Sequence, residues 1–166
     1  MPKIIYRGKT EATDNCPCTN GNKPDGTWVK GYLYADGCFC EIRDSINNIT
    51  YEVDLATIGE FTGLIVANGE VFEGDLLQFG DYILEVFWND ECFQWQAKKI
   101  DSNYVTLYHR CPYHYNKDWT AIDLGEIAAE PILTGQMTTK IIGNVWDNSE
   151  ILDKYKSKSV SQELYF

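Results

Sequence analysis

Turn-forming residues recur along this chain at short intervals, and most runs between them have the length of strands rather than helices. Asp25-Gly26, Asp36-Gly37, Asn47-Asn48, Asn68-Gly69, Glu73-Gly74-Asp75, Gly80-Asp81, Asn89-Asp90 and Asp101-Ser102-Asn103 punctuate it. Asn, Asp and Gly tolerate the left-handed backbone that tight hairpins require. The runs between these turns alternate as strands do. From Thr27 to Ala35, Trp28, Lys30, Tyr32 and Tyr34 fall on one face, and Val29, Gly31 and Leu33 on the other. Short alternating runs closed by regular turns predict a mainly β chain, a small antiparallel barrel or sandwich. No βαβ alternation is present, which argues against a parallel sheet.

The pattern predicts two meanders within one domain covering residues 1–166. The first occupies 3–53. It begins with a short strand from Lys3 to Arg7 and continues through Thr27–Ala35, Cys38–Arg43 and Ile49–Val53. A linking stretch, 54–75, follows. There Asp54 can accept bonds from backbone N–H groups just downstream, and Asn68-Gly69 suits a type I′ turn. Leu76–Phe79, Tyr82–Trp88, Cys92–Ile100 and Tyr104–His109 make the second meander, 76–109. Its part from Glu73 to Lys99 loosely resembles an SH3-like barrel, with a Gly-Asp entry and three antiparallel strands. Residues 110–137 read as an inserted loop region, with some helical character in Leu124–Ala129 ended by Pro131. Residues 138–157 hold a closing strand, Thr138–Trp146, and one short C-terminal helix, Glu150–Lys156, capped from Asp147-Asn148-Ser149. The tail is 158–166.

Aromatic residues are 14% of the chain, which favours pleated, half-buried surfaces. The net charge of −11 opposes general affinity for phosphate backbones and for anionic membranes. It leaves room for a local basic patch within the acidic whole. No apolar run reaches membrane-spanning length, and no secretory segment follows Met1. A soluble, intracellular protein is expected.

Six cysteines raise a metal question. Cys16-Pro-Cys18 and Cys38-Phe-Cys40 form two C-x-C pairs, and four thiolates can hold a tetrahedral zinc. Structural zinc sites space paired ligands more widely. The competing reading places Cys38 and Cys40 as small core residues and Cys16 and Cys18 in a loop. His109, Cys111 and His114 form a second cluster, whose competing reading is an aromatic turn around Pro112. No cofactor is expected.

Catalytic grammar is thin. His109 and His114 are the only histidines. There is no G-x-S-x-G, no phosphate loop and no H-E-x-x-H. Glu73 and Asp75 simply flank Gly74 in a turn. The expectation is a non-enzyme. For binding, Trp88, Phe93 and Trp95 can form an aromatic platform with Lys98 and Lys99. Tyr113 and Tyr115 sit in a second aromatic stretch.

Four ordered pieces carry a family resemblance. They are Tyr6-Arg7-Gly8-Lys9, then Asp25-Gly26-Thr27-Trp28-Val29-Lys30-Gly31-Tyr32. The third is Tyr51–Phe79, with its runs YEVDLATIGEFTGL and EVFEGDLLQF, and the fourth is Ile142-Gly143-Asn144-Val145-Trp146-Asp147-Asn148. Together they resemble the YopX family of phage and prophage proteins, over nearly the whole chain. The loop holding Cys16 and Cys18 is longer than the family's, and 110–137 is an insertion. The resemblance implies a small, mainly β protein encoded on a mobile element, at work in a bacterial cytoplasm, with no established biochemical activity. It implies no catalytic residue and lends no support to a metal.

The expected function is therefore that of a phage or prophage accessory protein, a protein-interaction or self-assembling module. Its partners would be further copies of itself, giving a homo-oligomer, or a host or phage protein. The net charge argues against nucleic acid, and no membrane is expected. Two alternatives remain: a nucleic-acid-binding SH3-like barrel, and an acidic DNA mimic that inhibits a host factor.

Overall fold

The structure is a computed structural model that describes residues 4–11, 25–35, 40–80, 82–91, 93–100, 121–123 and 138–154. The described strands form two antiparallel sheets, of six and five strands. With one short helix at 149–154, the protein is mainly β, as the turn spacing predicts. The chain divides into two compact units, Met1–Thr62 and Gly63–Phe166.

The first unit is a meander with one added strand. It holds β1 (Tyr6–Lys9), β2 (Trp28–Ala35), β3 (Cys40–Asp44), β4 (Thr50–Glu52) and the start of β5 (Gly59–Val66). Their order is β4-β3-β2-β1-β5. β2 shows how the sequence makes a strand here. Val29 and Gly31 are buried while Lys30 and Tyr34 are exposed, as the alternation requires. Val29, Ile42, Tyr51 and Val53 are the buried core, flanked by Tyr6, Leu33, Cys40, Ile49 and Ile58. The β3–β4 turn is built by side chains. Asp44 Oδ1 accepts from the N–H groups of Ile46 and Asn47, and Asn48 takes the left-handed backbone at φ 64°. Asp54 caps a 3-10 turn, Leu55–Thr57, by accepting from Ala56 N–H at 2.9 Å. Buried Thr57 then accepts from Lys9 N–H and donates to the Asp54 carbonyl. An isolated bridge, Thr10–Val53, ties the end of β1 to the end of β4.

Thr62 and Gly63 mark the division, midway along β5. Gly63 has φ +84°, a conformation that a side chain makes costly inside a strand. The stretch 54–75, expected to link two meanders, thus supplies two strands of its own. The pattern GEFTGLIV hides β5 because its two glycines read as turn signals.

The second unit contains the rest of β5, β6 (Gly69–Phe72), β7 (Asp75–Phe79), β8 (Tyr82–Asn89), β9 (Gln94–Lys99), β10 (Ala121–Asp123) and β11 (Lys140–Asn144). Five of these form the second sheet, ordered β10-β9-β8-β7-β11. Leu64 and Val66 of β5 and Val71 of β6 pack against Leu77, Leu84, Val86 and Ala97 of that sheet. This is sandwich packing, and neither strand order closes into a barrel among the described residues. β7, β8 and β9 run antiparallel as the sequence suggests. β10 falls inside the region expected to be an inserted loop. Three residues are too few to show alternation, and pairing with β9 is what makes them a strand.

Two of the resembling motifs meet in this unit. Gly74 is buried at φ +78°, and a Cβ there would enter the ring of Trp146. Its N–H donates to the Val86 carbonyl, and its own carbonyl accepts from Val145 N–H, both at 2.9 Å. Asn144 and Asn148 hold the Trp146 loop. Asn144 Oδ1 accepts from the N–H groups of Trp146 and Asp147, and Asn148 Oδ1 accepts from Asn144 N–H. Asp75, fully buried, accepts from Phe72 N–H at 2.8 Å to shape the same turn. Asn68 works at a distance of 73 residues. Its side-chain amide donates to the Ile141 carbonyl and accepts from Ile141 N–H, both at 2.8 Å, so it pairs with β11 as a strand backbone would.

Candidate functional site

Two surfaces concentrate chemistry-bearing side chains, one in each unit. The first is the tip of the β8–β9 hairpin. Register places Trp88 directly opposite Trp95. Their rings meet edge to face, with centroids 5.1 Å apart and planes at 72°, a favoured aromatic geometry. Trp95 packs on the core, while Trp88 is partly exposed. Phe93 is 79% exposed and holds φ 52°, a left-handed conformation unusual for a bulky residue. The structure therefore brings together Trp88 and Trp95 and sets Phe93 in the turn that joins their strands.

Lys98 does not join them. Cross-strand pairing with Glu85 puts it on the opposite sheet face, where its ammonium lies 3.2 Å from the Glu85 carboxylate and 5.4 Å from the Phe87 ring. Strand alternation separates it from Trp95, three positions earlier. The expected aromatic and basic platform is thus divided between two faces.

The second surface is the outer face of the first sheet. Trp28, Lys30, Tyr32 and Tyr34 of β2 point away from the core. Register adds Arg7 beside Lys30, Lys9 beside Trp28 and Arg43 beside Tyr32. The Arg7 guanidinium lies 4.9 Å from the Trp28 ring centroid and the Lys9 ammonium 5.5 Å, both within cation–π range. Arg43 Nε donates to Asn48 Oδ1 at 2.7 Å, which orients its guanidinium. The alternation of β2 was legible in the sequence. The flanking cations were not, because only strand pairing brings residues 7, 9 and 43 to it.

The cysteine readings divide differently. Cys40 is partly buried against the core of the first unit, and burial, then the nearby Glu41 carboxylate, pushes its thiol up. Cys16, Cys18 and Cys38 lie outside the described residues, as do His109, Cys111, His114, Tyr113 and Tyr115. Among the described residues, no three His, Cys, Asp or Glu side chains cluster to hold a metal ion. No described helix is long and apolar enough to cross a membrane.

Compared with family models, with curated proteins and with solved structures, the chain finds no match.

Proposed function

We propose that this protein is a phage or prophage accessory protein that acts by binding protein, further copies of itself included, through the β8–β9 hairpin tip. The observation that carries the reading is Phe93, a large apolar side chain held out to solvent on a left-handed backbone. That conformation costs a non-glycine residue about 1 kcal/mol. Gly or Asn would serve a purely structural turn better. Trp88 stands on the same hairpin, and aromatic anchors of this kind supply most of the energy at protein interfaces. Self-association would also shield sheet edges, a common need of β proteins. The phage setting and the bacterial cytoplasm rest on the four ordered motifs that resemble the YopX family. No catalytic step is assigned to any residue.

Native mass spectrometry and sedimentation across a concentration series test this. The expected result is an oligomer that the Trp88→Ser, Phe93→Ser double variant loses while keeping its circular dichroism. A strict monomer at every concentration that also binds no phage or host protein overturns the reading. So does an oligomer that the double variant retains.

A further inference from the structure

We infer that the outer face of β2 in the first unit is a binding surface for single-stranded nucleic acid. This goes beyond the protein-binding reading and uses residues of the other unit.

The charge distribution is the first argument. Arg7, Lys9, Lys30 and Arg43 share this face, four of the chain's 14 lysines and arginines. Among the described residues of the paired strands, the acids on this face are Glu41, directly opposite Tyr34, and Glu52 beside it. A local cationic field therefore sits within an acidic protein. At physiological ionic strength charges more than about 8 Å away are largely screened, so a phosphate near Trp28 and Lys30 responds mainly to the neighbouring cations Arg7, Lys9 and Lys30. Glu41 and Glu52 mark where the track ends.

Ring placement is the second argument, and it selects the partner. Along β2 the outward series reads Trp28, Lys30, Tyr32, Tyr34. Alternate residues of a strand stand about 6.7 Å apart, comparable with successive nucleotides of an extended single strand. Rings then offer stacking surfaces for bases while the interleaved cations meet phosphates. Tyr34 is 53% exposed, and Lys30 is exposed. Arg7 and Lys9, lying against Trp28, are ordered before any ligand arrives, which lowers the entropy lost on binding. An acidic polypeptide would use the cations but would leave the rings without a role. A duplex buries its bases and offers none to stack.

Fluorescence anisotropy with labelled oligothymidylate and oligouridylate of about 15 nucleotides tests the inference on the full chain. Binding at low salt that weakens steeply as salt rises is expected. Lys30→Glu should weaken it about tenfold or more. Tyr34→Ser, at an exposed position that leaves the core intact, should weaken it about fivefold or more. Lys140→Glu, at an exposed position in the other unit, should leave it unchanged and so separates this surface from charge elsewhere on the chain. Absence of binding at low salt overturns the inference, as does binding that both first-unit variants leave intact. Equal competition by polyglutamate, with no effect of Tyr34→Ser, would make the face a dock for acidic protein and would equally overturn it.

Discussion

The two units bury and expose aromatic residues on different terms. In the first, four buried side chains make the core, and the outward rings of β2 stand among cations. In the second, seven buried residues from two sheets make a larger core, and the rings at the hairpin tip stand on each other. A cation across the ladder puts charge beside a ring, and a second ring extends its apolar area. The same residue types thus meet different surroundings because different neighbours stand across the ladder.

Five substitutions would break or sharpen this contrast, taken from the largest effect to the smallest. Gly74→Val combines a left-handed backbone with a clash against Trp146. It should cost about 4 kcal/mol and unfold much of the second unit, seen as a lost or much lowered urea midpoint. A midpoint near that of the parent chain would show that the Trp146 loop yields cheaply. Next come paired core truncations. Leu77→Ala should cost about 3–4 kcal/mol and Ile42→Ala about 2–3 kcal/mol, since the smaller core leaves more room to collapse. Hydrogen exchange resolved by residue would show whether each loss stays in its own unit. Equal costs would erase the claimed difference between the cores. Asn68→Ala removes both bonds to Ile141 and should cost about 1–2 kcal/mol, with exchange rising first at β11. Last, Phe93→Gly relieves the left-handed strain and should raise stability by up to about 1 kcal/mol while weakening self-association. If it destabilises the chain instead, Phe93 is a packing residue and the hairpin tip loses its claim.

Legibility varied by feature in ways that have physical causes. Strands bounded by Asp-Gly or Asn-Asp turns were readable because turn chemistry and alternation are local. Asp54 was readable as a cap for the same reason, and the structure shows it accepting from Ala56 N–H. β5 was not readable, since Gly59 and Gly63 break the alternation and only pairing with β1 and burial of Leu64 and Val66 make it a strand. Asn68-Gly69 was recognised as a turn. Its larger task, holding β11 through the Asn68 amide, joins residues 73 positions apart and leaves no local mark. The hairpin tip was half legible. The sequence puts Trp88, Trp95 and Lys98 together, whereas the register pairs the two rings and turns Lys98 to the other face.

What the sequence determined alone was the class of fold and the alternation of the strands bounded by local turns. Both follow from interactions between residues a few positions apart: turn propensity, period-two patterning and side-chain caps. What only the tertiary structure decided was which distant strands lie side by side and in what register. That choice put Trp146 over Gly74 and gathered Arg7, Lys9 and Arg43 around the rings of β2. Pairing between distant strands depends on which buried faces fit together across the whole core. No short stretch of sequence carries that information.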